Sequence, residues 1–210
     1  MNILAIGAHF DDVELGCSGS LAKRISEGDK VYVYVATDSG YLNYQNKEIR
    51  TSSKALGEAR NAMDILGVTE LITGNFKTLN LEFTDSLNIQ ILEIVEKYKI
   101  DFVYTHWTGD IHHDHKALAK ASLHSCRHVP NLLMYRSNWY HSDQNFNGNY
   151  YVDITDFWEI KEKAIRAHET EMKRTGESWI SFFQNEAENA GQRIGVKKAE
   201  VFQVIKLLSS

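Results

Sequence analysis

The sequence predicts an α/β fold in which a mostly parallel, Rossmann-like sheet carries helices on both faces. Three observations predict it. Short Val-, Ile- and Tyr-rich runs alternate with segments of helical apolar spacing, in the order β-α-β-α-β-α-β-α, through the first two-thirds of the chain. The 210 residues contain one proline and no Gly/Ser tract or long charge run, so residues 1–210 read as a single domain. Hydrophobic residues at 43% and charged residues at 24% are ordinary for a globular protein, which excludes a disordered chain, a collagen-like repeat and a disulfide scaffold.

The elements follow in order. Asn2–Ala8 is an apolar run broken at once by His9, Asp11 and Asp12, as expected of a buried first strand and not of a signal peptide. Leu15–Glu27 has helical character and stops near Gly28. Lys30–Thr37 is a second strand, and a polar loop, Asp38–Arg50, leads to a helix over Ser52–Leu66 that Gly67 closes. Glu70–Thr73 is a short strand. Ser86–Lys97 places Leu87, Ile91, Ile94 and Val95 at helical spacing. Asp101–Thr105 is a strand, followed by a polar loop and a helix from about His115 to Ser125. The C-terminal third is less regular: strands are expected at Leu132–Tyr135, Tyr151–Ile154 and Ala199–Lys206, and a helix at Asp156–Ala167.

Charge narrows the partners. Lys and Arg number 23 against 28 Asp and Glu, a net charge of -5, which argues against nonspecific nucleic-acid binding. No apolar run reaches the length of a membrane span. Cys17 and Cys126 lie far apart and read as free thiols, so a cytoplasmic location is expected.

Two segments carry chemistry, and each follows a strand, where open α/β sheets bind their ligands. The first is Ala8-His9-Phe10-Asp11-Asp12-Val13-Glu14. A dinucleotide fingerprint would place glycines here so that backbone could approach phosphate; three acids would repel one. A cation reverses that logic, because His and Asp are good zinc ligands. The competing reading is a solvated acidic turn with Asp11 or Asp12 capping a helix. The second segment is Gly109-Asp110-Ile111-His112-His113-Asp114-His115, in which His112 and His115 share one face of a helical first turn. Its competing reading is an exposed polar loop. Together the segments offer enough groups for three metal ligands and a free carboxylate to take a proton from water. Spacing alone leaves open which aspartate does which.

His9-Phe10-Asp11-Asp12-Val13-Glu14 resembles the AHPDDxE motif of the PIG-L/LmbE-like zinc deacetylases, and His112-His113-Asp114-His115 resembles their HPDH motif. Weaker echoes are Glu58, Ala62, Leu66 and Gly67, then Ala167-His168, then Ala199-Glu200-Val201-Phe202. The resemblance implies one zinc per chain, held by His9, Asp12 and His115. It implies Asp11 as general base, His112 as oxyanion donor or acid, and Asp114 holding the His112 imidazole. It also implies a small N-acetyl amino-sugar substrate, an N-acetylglucosamine-type conjugate, and a chain that forms a homo-oligomer.

Three positions depart from the pattern. Phe10 and His113 replace the usual prolines, and Ala55 stands where relatives carry a substrate-binding arginine. Arg50 or Lys54 is the expected replacement, with Arg50, Tyr41 and His168 as the candidate substrate-binding residues. Tyr44 and Trp107 are further aromatic candidates; His106, His124, His128 and His141 read as structural or surface residues. Two rival readings stand beside the deacetylase: another metal hydrolase such as a phosphoesterase, and a non-catalytic sugar- or nucleotide-binding domain.

Overall fold

The computed structural model describes residues 1–208. The first half runs β1 (Asn2–Gly7), α1 (Asp12–Ser26), β2 (Lys30–Thr37), β3 (Tyr41–Leu42), β4 (Glu48–Arg50), α2 (Ser52–Leu66), β5 (Glu70–Phe76) and α3 (Asp85–Lys97). It continues β6 (Phe102–His106), α4 (His113–Ser125), β7 (Asn131–Tyr135), β8 (Tyr150–Asp153), α5 (Trp158–Arg166), α6 (Glu169–Thr175), α7 (Glu177–Ile194) and β9 (Ala199–Lys206).

Seven strands form one sheet in the order β5-β2-β1-β6-β7-β9-β8. The strands from β5 to β7 are parallel, as their continuous apolar runs require when both faces are covered. β9 pairs antiparallel with β7 and β8 and closes one side. Cys17, Leu21, Ala59, Met63 and Ala164 bring α1, α2 and α5 onto one face, while Leu87, Ile91, Leu118 and Ala121 bring α3 and α4 onto the other. The α/β class and the two covered faces read from the sequence are the observed architecture. Both cysteines are buried and free. No helix among the described residues is long and apolar enough to cross a membrane.

The topology positions the site. The chain builds outward from β1 through β2 to β5, then crosses back to lay β6 on the other side of β1. The β1/β6 pair is therefore the switch point, where the loops leaving the two strand ends diverge and open a crevice. Both histidine- and aspartate-rich segments leave the sheet there. Gly16 lets α1 sit close to the sheet: a Cβ at this position would lie 2.1 Å from the Tyr135 ring. The Tyr135 hydroxyl in turn donates to the Ile6 carbonyl at 2.7 Å.

Several boundaries differ from the sequence expectation. α1 starts at Asp12 and α4 at His113, so each helix begins inside its motif and not after it. The Asp38–Arg50 loop contains the β3–β4 hairpin. α6 and the 18-residue α7 fall where no helix was expected. α7 buries Trp179, Ile180, Phe183, Ala187 and Ala190, at spacings of three and four.

Candidate active site

His9 leaves the end of β1, Asp12 opens α1, and His115 lies in the first turn of α4. The fold brings the three residues into a triangle, with the two ring nitrogens facing different oxygens of the Asp12 carboxylate. His9 Nδ1 is 3.3 Å from Asp12 Oδ2, His115 Nε2 is 3.2 Å from Asp12 Oδ1, and the two ring nitrogens are 3.2 Å apart. A tetrahedral zinc with ligand lengths of about 2.0–2.1 Å has ligand-to-ligand edges of about 3.3–3.4 Å. The donor set fits the metal in chemistry and in span.

The atoms behind the triangle fit as well. His9 Nε2 is 2.8 Å from Asp114 Oδ2, so its outer nitrogen is held by a carboxylate and Nδ1 is turned inward. His115 Nδ1 lies 3.1 Å from Asp110 Oδ2, close but off-line, and neither buried atom completes a well-formed hydrogen bond. Asp12 is fixed from two sides: the His9 amide donates to Oδ2 at 2.7 Å, and the Ser137 hydroxyl donates to Oδ1 at 2.8 Å.

The surrounding carboxylates set the charge of this cluster. Burial opposes charge on His9, yet Asp114 and Asp12 outweigh it and raise the imidazole to about 9. Burial likewise opposes charge on His115, and Asp12 and Asp110 raise it to about 10. Two inward-facing ring nitrogens 3.2 Å apart cannot both carry protons comfortably. A divalent cation neutralises the same carboxylates while using both lone pairs.

Two other groups also bring their ligand atoms together: His9, His112 and His115, and Asp12, His106 and His115. His106 Nε2, however, accepts from the Ala8 amide at 3.0 Å, which commits its lone pair. Its ring stacks on His115 with centroids 4.0 Å apart, so His106 packs behind that imidazole.

Asp11 lines the same cavity as the triangle, and its backbone adopts φ 145° and ψ -25°, a region that non-glycine residues rarely occupy. Burial and the neighbouring Asp12 charge raise its carboxyl to about 7, against the pull of Arg50. Arg50 Nη1 lies 3.6 Å from Asp11 Oδ2. His112 sits at the N-terminus of α4, where its Nδ1 accepts from the Asp114 amide at 3.2 Å, leaving Nε2 as the ring's donor. Burial and the neighbouring His115 and His9 imidazoles push its pKa down to about 4.

Here two expectations are corrected. The Asp114 carboxylate does not hold His112. It accepts from His9 and from the Leu79 and Leu81 amides, at 2.8 Å, 2.8 Å and 3.1 Å, and only its backbone touches His112. His168 does not line the cavity. It is fully buried behind Arg50, with Nε2 2.7 Å from Glu14 and Nδ1 3.1 Å from Arg50 Nη2.

The cavity over the triangle has a volume of about 270 Å³ and is lined by the two motifs together with Tyr41, Arg50, Trp139, Tyr140, Glu171 and Trp179. Arg50 comes from the end of β4 and donates to Glu58 on α2 at 3.0 Å and to the Phe10 carbonyl at 3.1 Å. A guanidinium thus reaches the helix on which Ala55 lacks one. Lys54 is half exposed and outside the cavity. Tyr41 donates to Glu171 at 2.7 Å. Tyr44 is exposed at the hairpin tip, and Trp107 is buried away from the cavity. Sequence reasoning missed Asp110, Ser137 and Glu171. Asp110 lay inside the second motif, whereas nothing local marked the other two.

Residues 4–126 match the family described as PIG-L: GlcNAc-PI de-N-acetylase. The chain belongs to the PIG-L family. This PIG-L chain is 32% identical over 179 residues to the uncharacterized deacetylase YaiS of Escherichia coli, covering 80% of this chain and 90% of that protein. It is 26% identical over 218 residues to the diacetylchitobiose deacetylase of Thermococcus kodakarensis, covering 94% and 80% respectively. The N,N'-diacetylchitobiose deacetylase of Pyrococcus horikoshii shares the fold, with a TM-score of 0.83 at 23% identity over 97% of this chain and 83% of that one.

Proposed function

We propose that this PIG-L protein is a zinc-dependent N-deacetylase, an amide hydrolase that removes the acetyl group from an N-acetylglucosamine-type conjugate. Residues 1–210 would act as one catalytic domain, since the sheet uses strands from both ends of the chain. The observation that carries the reading is the His9–Asp12–His115 triangle with a fourth group, Asp11, held beside it and outside it. The deacetylase names of the two curated relatives support the reaction class.

His9, Asp12 and His115 would hold one zinc. When bound, it supplies Lewis-acid polarisation of the amide carbonyl and makes water in the site more acidic. Asp11 takes a proton from the attacking water as its oxygen bonds to the carbonyl carbon. The neutral His112 donates through Nε2 to the oxyanion of the tetrahedral species. The C–N bond then breaks as the proton held by Asp11 passes to the amine nitrogen, releasing acetate and the free amino sugar. Arg50 and Tyr41 bind the sugar from the cavity wall, and Arg50 also anchors Asp11. His168 acts one step back, by holding Arg50.

The phosphoesterase alternative often uses two bridged metals, whereas the candidate ligand groups here share His115, as a single metal site would. The free buried thiols suit a reducing compartment such as the cytoplasm. The test is acetate release from N-acetylglucosamine and its conjugates by zinc-loaded protein, abolished by chelator and restored by zinc. Failure to release acetate from any of them, or release that survives complete removal of metal, overturns the reading.

A further inference from the structure

The catalytic cavity, at about 270 Å³, is the smaller of two neighbouring spaces. A cleft of about 890 Å³ opens on the other side of Leu15, which lines both. The helix α7 joins them: Trp179 lines the catalytic cavity, while Phe183, Asn189 and Arg193 line the cleft. The path from Trp179 to Arg193 is about 21 Å at about 1.5 Å per residue. A catalytic cavity of this size holds one amino-sugar unit, whereas the cleft falls within the size range of ligand sites, about 300–1,000 Å³.

The chemistry of the cleft selects its occupant. Its two acids, Glu186 and Glu200, are already paired, with Arg136 and Lys161 respectively, each at 2.5 Å. That leaves Arg193 as the one charged side chain of the cleft outside these pairs, too little for a nucleic-acid backbone. Exposed side chains with planar polar groups, Asn145, Asn147, Asn189 and Arg193, supply donors and acceptors at fixed angles. Phe182 and Phe183 supply apolar ring surface beside them. Many neutral donors and acceptors next to aromatic surface complement a neutral polyhydroxylated chain.

We propose that this cleft binds the non-reacting sugar units of an oligosaccharide while its N-acetylated end lies in the catalytic cavity. The proposal rests on the deacetylase reading and narrows it from amino sugars in general to oligomers.

The test uses the double variant Asn189→Ala/Arg193→Ala, at positions outside the catalytic cavity. Zinc-loaded protein should turn over a fully N-acetylated β-1,4 tetrasaccharide with kcat/KM at least about tenfold above that for N-acetylglucosamine, the worth of one hydrogen bond to a charged group. The double variant should lose this advantage and keep its rate on the monosaccharide. Calorimetry with the same tetrasaccharide, in the zinc-loaded Asp11→Asn background, should show weaker binding in the double variant by the same factor. Equal binding with and without the double substitution overturns the cleft assignment. So does a dimer that dissociates in the double variant with sugar binding unchanged, which would make the cleft an interface between copies. Tight tetrasaccharide binding that depends on Asn189 and Arg193, with no acetate released from any sugar, supports the cleft and overturns the deacetylase reading alone.

Discussion

Asp114→Asn tests how the second motif supports the first. The carboxylate is fully buried, with Oδ2 facing His9 Nε2 and the Leu79 amide, and Oδ1 facing the Leu81 amide. All of these neighbours are donors to a carboxylate. An asparagine must turn its own NH2 toward one side, so in either orientation at least one backbone amide loses its acceptor, the buried Leu81 amide in one and the part-buried Leu79 amide in the other. A buried donor left unpaired costs about 1–3 kcal/mol, which for a domain of this size lowers Tm by about 2–12 °C. His9 also loses the charge behind its outer nitrogen, and removing such a partner weakens metal binding by about 10–100-fold. Competition with a chromophoric chelator measures the zinc affinity, and thermal unfolding of the metal-free protein measures the first cost separately. If Asp114→Asn keeps both zinc affinity and Tm while kcat falls, the carboxylate serves His112 and the reasoning is refuted.

Other substitutions separate the remaining roles. Asp11→Asn should keep zinc affinity near normal and lower kcat by about 10²–10⁴-fold, measured by metal content and acetate release. Asp11→Gly should be equally inactive yet more stable by about 1–3 kcal/mol in thermal unfolding, because it relieves the φ of 145° and Asp11 makes no capping bond with its side chain. His112→Ala should retain zinc and lower kcat by about 10²–10³-fold with little change in KM, in steady-state kinetics. Arg50→Met breaks a buried ion pair with Glu58 and should destabilise the fold by about 3–5 kcal/mol, read from denaturant unfolding.

The parts of the molecule that were legible in the sequence are those with local signatures. The inner strands β1, β2, β6 and β7 are buried on both faces, so their apolar runs stand out against the loops, and the two motifs sit directly at strand ends. The role of Asp114 was not legible, because its partners Leu79 and Leu81 come from another loop and His9 from another strand. His168 was read as reaching the substrate because nothing in the chain shows that Glu14 and Arg50 enclose it. Ser137 lies 125 residues from Asp12 and is likewise joined to it only by the fold. The helix α7 carried a readable apolar period and an αL glycine stop at Gly195, but its polar face, with Gln184, Asn185, Asn189 and Gln192, resembles a loop. The short helix α6 is held by its setting, since seven residues are too few to form a stable helix alone.

The central claim is that His9, Asp12 and His115 are the metal ligands. Anomalous diffraction at the zinc edge, from crystals of zinc-loaded protein, tests it directly. One strong peak per chain is expected, within about 2.0–2.2 Å of His9 Nδ1, an Asp12 carboxylate oxygen and His115 Nε2. Asp11 should remain outside the ligand set. A peak held by Asp12, His106 and His115 without His9, or no peak between the two motifs, would contradict it.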